Sequence, residues 1–180
     1  MIERLWAGWR SSYVTGVAGA DGADGGAGAT EVPPGAGSLF ERILTSGLPD
    51  AETYVVWRGV HAAALLNAYP YTSGHVLVLP QRAVANLADL QAEESAELWQ
   101  GVQHAVTAIT SAYRPQGVNV GANLGEAAGA GVPDHLHFHV LPRWRGDTNF
   151  MTSVAELRVL PEVLGVSWQK VRAAWPGATV

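Results

Sequence analysis

From residue 38 onward, the apolar positions follow two distinct periods. Tyr54-Val55-Val56-Trp57, Ala62 to Asn67, His75 to Leu79, Val118 to Leu124 and His135 to Leu141 are short runs rich in apolar and β-branched residues. Such runs, punctuated by Gly, Pro and Asn, read as strands. Arg58-Gly59 turns between the first two, Pro70 to Gly74 (PYTSG) forms a loop, and Pro80 and Pro142 are expected to stop the third and fifth strands. Ser38 to Ser46 predicts a short helix ending at Gly47. Within residues 90–113, Leu98, Val102, Ala105, Ile109 and Ala112 recur on one face of a 3.6-residue period, the mark of a long helix. Leu164, Trp168, Val171 and Trp175 repeat that spacing in a last helix over 161–175, which Gly165 weakens. Strands grouped around one long helix predict an α+β domain with a mostly antiparallel sheet and a C-terminal helix.

The chain ahead of this body has a different texture. Thr15 to Gly37 is almost all Gly, Ala, Pro and Asp, with little to bury and a high ordering cost. We therefore divide the chain into an arm over 1–14, a linker over 15–37 and a main domain over 38–180. Trp6 and Trp9 give the arm apolar surface to bury on the body or on a second subunit.

Composition removes several function classes. The 180 residues are 48% hydrophobic and 15% charged, with a net charge of −5 and no cysteine. Disulfides, thiol catalysis and cysteine-ligated metals are excluded. No basic run offers a grip on nucleic acid or an anionic membrane. No apolar run approaches the roughly 20 residues of a membrane helix. The start lacks the layout of a secretory signal, so the expectation is a cytoplasmic protein.

The chemistry concentrates in Asp134-His135-Leu136-His137-Phe138-His139-Val140-Leu141, which holds three of the six histidines. On a strand, His135, His137 and His139 share one face at a spacing of about 6.6 Å, while Leu136, Phe138 and Val140 turn to the core. A neutral imidazole is nucleophilic near neutral pH, and its charged form donates protons to phosphoryl oxygens. The loop Gly125 to Gly131 is poor in side chains and lets backbone N–H groups approach an anion. Together these features point to in-line attack on phosphorus by one histidine. A metal site remains open at this point, because His-x-His is also a zinc-ligand spacing, and so does a purely structural role. His61 and His104 read as surface or core residues.

The run His135-Leu136-His137-Phe138-His139-Val140-Leu141 resembles the signature of the histidine triad superfamily of nucleotide hydrolases and transferases. The likeness extends over roughly 38–150. It includes Leu66-Asn67, His75 to Pro80 and Asn119 to Gly125, and the outer segments resemble the actinobacterial diadenosine tetraphosphate phosphorylase branch. The resemblance implies that His137 is the nucleophile, that His139 contacts phosphate oxygens and that His135 orients His137. It also implies that Asn67 binds ribose, that His75 supports the triad, that Asn123 touches phosphate and that the Gly129 to Gly131 backbone lines the phosphate pocket. Trp144, Asp147 and Asn149 are candidates for assisting the leaving group. No cofactor is implied, and family members are commonly homodimers. The 98–109 helix and the arm are candidate interface material.

Many relatives hold a structural zinc with Cys-x-x-Cys, a histidine after Pro-x-Arg and the first triad histidine. Those positions here read Ser38, Glu41, Ala83 and His135. A lone His and Glu lack a closed tetrahedral set, so no metal is expected and packing should hold that corner. The expected function is cleavage of a dinucleoside polyphosphate through a nucleotidyl-histidine, resolved by phosphate or water. The rivals are a nucleoside phosphoramidate hydrolase, a metal-dependent hydrolase and a nucleotide-binding protein without turnover.

Overall fold

The structure is a computed structural model that describes residues 36–147 and 162–177. The arm and nearly all of the linker lie outside the described residues. So do Asn149 and the start of the last predicted helix.

Helix α1 (Leu39–Thr45) opens the described body. Ser38 accepts the Glu41 N–H at its N-terminus while the Glu41 side chain accepts the Ser38 N–H, a reciprocal cap. A short helix α2 (Asp50–Thr53) follows, which the sequence pattern does not announce. The strands are β1 (Val55–Arg58), β2 (Ala62–Leu66), β3 (Val76–Pro80), β4 (Gly117–Ala122) and β5 (Phe138–Arg143). Helix α3 (Ala92–Tyr113) lies between β3 and β4, and α4 (Leu164–Ala173) comes last. All neighbours in the sheet are antiparallel, in the order β1-β2-β3-β5-β4. The α+β class with one long helix and a C-terminal helix is therefore observed.

The sheet separates two apolar layers because alternate side chains leave opposite faces. On one face, Val56, Ala64, Leu66, Val76, Val78 and Val140 pack with Leu98, Val102, Ala105 and Ile109 of α3 and Val171 of α4. Gly101 lets α3 close on the sheet: a Cβ there would stand 2.9 Å from Val78 and 3.0 Å from Trp57. The apolar face of α3 is thus interior to its own chain, while Trp99 on its outer side stays exposed. On the other face, Val55, Leu65, Leu77 and Leu79 meet Phe40 of α1 and Val132.

The fifth strand differs from expectation at both ends. The fifth strand begins at Phe138, not His135, so two of the triad histidines precede the ladder. It also runs through Pro142 instead of stopping there. Strand β3 offers partners only from Phe138 to Val140, whereas β4 continues to Arg143. Pro142 therefore sits where one side of the strand has already lost its neighbour, a place where a missing N–H is tolerated.

The β1–β2 turn is tied to α3. Glu97 accepts the N–H groups of Val60 (2.9 Å), His61 and Ala62 (2.9 Å). Replacing Glu97 with alanine leaves three main-chain donors to find water, and we expect a loss of roughly 1–2 kcal/mol. Chemical denaturation of Glu97→Ala against wild type measures it.

Candidate active site

The register of the central strands builds the site. His139 pairs with Leu77 on β3 and with Gly121 on β4, so its side chain joins the face carrying Phe40 and Leu77. A Cβ at Gly121 would meet nothing within 4 Å, so the position across from His139 is open. His137 and His135 lie just before the strand on the same layer, and Phe40 stands edge-on to both rings at 5.2 and 5.3 Å. The three triad residues are 0%, 4% and 9% exposed from His135 to His139. The rings of His137 and His139 are 5.0 Å apart.

Obligatory donors and acceptors fix the tautomers of the neutral rings. The His135 carbonyl is 2.8 Å from His137 Nδ1 and can only accept, so Nδ1 carries the proton and Nε2 keeps its lone pair. The Pro80 carbonyl lies 2.8 Å from His135 Nε2, so that nitrogen donates, and His135 Nδ1 accepts from Ser38 Oγ at 2.6 Å. The Tyr71 N–H donates to His75 Nδ1 at 3.1 Å, which leaves the His75 proton on Nε2, aimed at His139 Nδ1 2.9 Å away. His139 then carries its own proton on Nε2. One ring thus presents a nitrogen lone pair and its neighbour an N–H.

His135 meets His137 through its main-chain carbonyl, while its imidazole is engaged by Ser38 and Pro80. His75 lies immediately before β3 and supports His139. Asn67 faces His75 Nδ1 at 3.3 Å and accepts the Tyr69 N–H at 3.0 Å. Asn123 donates to the Gly129 carbonyl at 3.2 Å. In the Gly125 to Gly131 loop, the N–H groups of Ala128, Gly129 and Ala130 all return to loop carbonyls. Those amides are engaged, which narrows the expected anion cradle; Gly131 follows, half-buried, four residues before His135. Trp144 has its ring against Tyr113 at 6.4 Å, and Asp147 binds Arg143. Two contributors escaped the sequence reading. Phe40 wedges the triad, and Tyr71 stacks on His139 with centroids 5.8 Å apart. The aromatic residue in PYTSG four positions before His75 was the available signal for the second.

The HIT domain profile matches residues 49–146, more than half of the chain. The chain belongs to the HIT domain family. It is 45% identical over 128 residues to the AP-4-A phosphorylase of Mycobacterium tuberculosis, covering 71% of this chain and 66% of that protein. The chain thus spans just under two thirds of that relative's length. It is 39% identical over 93 residues to the asymmetrical bis(5'-nucleosyl)-tetraphosphatase of Schizosaccharomyces pombe, covering 52% of this chain and 50% of that protein. Among solved structures, a zinc-bound histidine triad family protein from Mycobacterium smegmatis aligns with a TM-score of 0.61 and 29% identity. That alignment covers 76% of this HIT chain and 91% of the other.

The four positions for which the resemblance implied a zinc site do meet in this HIT protein, but their chemistry does not suit the ion. Ala83 offers no side-chain donor. Both Glu41 oxygens accept main-chain N–H groups, from Ala83 and Ser38 at 2.9 Å each. Both nitrogens of His135 are hydrogen-bonded. Among the described residues, no cluster of three or more His, Asp or Glu is arranged to hold a metal. The corner is held by hydrogen bonds as much as by the packing expected from sequence.

Burial pushes the pKa of His135 and His137 below the ordinary 6.5, outweighing the carbonyls that favour their charged forms. The His137 ring is therefore neutral at neutral pH. The N–H groups of Ala83 and Ser38 hold Glu41 below 4.5, and Arg82 does the same for Glu94. The unfolded chain takes up protons near 6.5 that the folded histidines refuse, so stability falls as pH drops through that value. Below about 4.5 the unfolded glutamates protonate before the folded ones, and stability falls further. Urea midpoints across pH should show both phases, and His137→Asn should shrink the one beginning near 6.5.

Proposed function

We propose that this HIT protein cleaves a dinucleoside polyphosphate, with diadenosine tetraphosphate as the favoured class, through a nucleotidyl-histidine. The observation that carries the proposal is the His137 tautomer: Nδ1–H is tied to the His135 carbonyl, so the Nε2 lone pair is the reactive one. That nitrogen attacks the α-phosphorus in line, a P–N bond forms, and the bridging P–O bond breaks to release ATP. Inorganic phosphate then attacks the same phosphorus, the P–N bond breaks, and ADP leaves with His137 restored. Water in place of phosphate gives AMP. His139, with its proton on Nε2, is placed to donate to phosphoryl oxygens, and His75 holds it in that state. In the same proposal Asn67 binds the ribose, and Asn123 with the Gly131 backbone approaches the phosphates.

The 45% identity to a mycobacterial AP-4-A phosphorylase supports the substrate class and favours phosphate as acceptor. No cofactor takes part. A homodimer and a cytoplasmic setting belong to the same reading. Strand β4 ends the sheet among the described residues, with Val120 exposed, and its outer edge suits a second copy. Among the described residues, no helix is long and apolar enough to cross a membrane.

The test is product analysis of diadenosine tetraphosphate incubated with the protein in chelator, with and without inorganic phosphate. ADP and ATP formed only with phosphate is the expected result. AMP and ATP would select hydrolysis. Binding without turnover of any nucleotide phosphoanhydride would select the non-catalytic rival.

A further inference from the structure

We infer that Ser38 and Glu41 form a clasp that positions the nucleophile from outside the substrate pocket. The inference rests on the reading of His137 as the attacking residue. Its elements are continuous hydrogen bonds. Glu41 joins the start of α1 to the segment after β3 by accepting from Ser38 N and Ala83 N, each at 2.9 Å. Ala83 lies between the two carbonyls that grip His135 and Leu136. The Pro80 carbonyl accepts from the His135 ring at 2.8 Å, and the Val84 carbonyl accepts the Leu136 N–H at 2.6 Å. From the opposite side, the Ser38 hydroxyl donates to His135 Nδ1 at 2.6 Å while accepting the Glu41 N–H at 3.2 Å.

His135 is therefore held at both ring nitrogens and is wholly buried. Its carbonyl is the atom that fixes His137 Nδ1–H. Loosening either jaw lets the 135 peptide rotate, and the His137 ring loses its single acceptor. Ser38 and Glu41 touch neither the proposed substrate nor the reacting nitrogen, so they are positioning residues. Displacement by about 1 Å at such a distance is enough to cost roughly 100-fold in rate.

The test uses the full chain and the variants Ser38→Ala, Ser38→Thr, Glu41→Ala and Glu41→Gln. Long-range nitrogen-15 correlation spectra of the histidine rings report the tautomers without substrate. Wild type should show His135 protonated on Nε2 and His137 on Nδ1. In Ser38→Ala and Glu41→Ala, the His137 signals should move to a mixture of tautomers. With diadenosine tetraphosphate and phosphate, kcat should fall about 10- to 100-fold, while KM changes by less than about twofold, because the substrate's contacts remain. Ser38→Thr restores the hydroxyl and should recover kcat. Should an alanine variant not fold, Glu41→Gln keeps the shape but sets an amide donor against a main-chain N–H, and the same changes are expected. A folded Ser38→Ala or Glu41→Gln with the wild-type His137 tautomer would overturn the clasp, as would a shift in KM alone. If wild type turns over no dinucleoside polyphosphate, the functional reading fails, yet the tautomer spectra still decide the clasp.

Discussion

His137→Ala should lose turnover of diadenosine tetraphosphate by roughly 10⁴- to 10⁶-fold, the scale seen when a nucleophile is removed from a covalent mechanism. The covalent route cannot exist without the imidazole. The neighbouring His139 cannot replace it in the neutral tautomer that His75 imposes, because its Nδ1 accepts from His75 and its Nε2 is protonated. The loss should appear in kcat, with nucleotide binding preserved. Steady-state kinetics paired with a binding isotherm separates the two. A decline of less than about tenfold would mean that the reaction proceeds by another nucleophile.

Gly74→Val should be strongly destabilising. Gly74 has φ +76°, in the left-handed region that a β-branched residue adopts with difficulty. A Cβ there would stand 2.5 Å from Tyr113 Cε2 and 2.9 Å from Cζ. The ring cannot swing aside freely, because its hydroxyl donates to Glu162, which also accepts from Ser167 and Lys170. Left-handed strain of about 1–2 kcal/mol and overpacking of about 1–3 kcal/mol add to roughly 2–5 kcal/mol. For a domain of this size that lowers Tm by about 10 °C. Since Gly74 precedes His75, kcat should fall as well, through the His75–His139 pair. A thermal melt within about 3 °C of wild type would refute the clash.

Much of this fold was legible because its elements carry their periods in local sequence. The Leu98, Val102, Ala105 and Ile109 spacing located α3, and Leu164, Trp168, Val171 and Trp175 located α4. The run from Ser38 to Ser46 located α1. The triad residues announced themselves by alternation, although the strand supplies only His139 and the other two precede it. What local pattern could not convey were pairings across long separations. The Ser38–His135 bond spans 97 positions. The substitution of Ser38 and Glu41 for metal ligands was visible as a loss, whereas its replacement by hydrogen bonds depended on where Ala83 and Pro80 would lie. Pro142 looked like a strand end because sequence does not tell which side of a strand still has a neighbour. The Gly125 to Gly131 loop looked like a set of available amides, yet its own turn consumes three of them.

The central claim is that phosphorus becomes bonded to Nε2 of one imidazole. Rapid acid-free quenching of the protein with diadenosine tetraphosphate in the absence of phosphate, followed by peptide mass spectrometry, reads that bond directly. An adenylyl group on the peptide containing His137, assigned to residue 137 and absent from His137→Ala, is the result this account predicts. Turnover in the same reaction with no protein-bound nucleotide at any time, or with the label on His135 or His139, would contradict it.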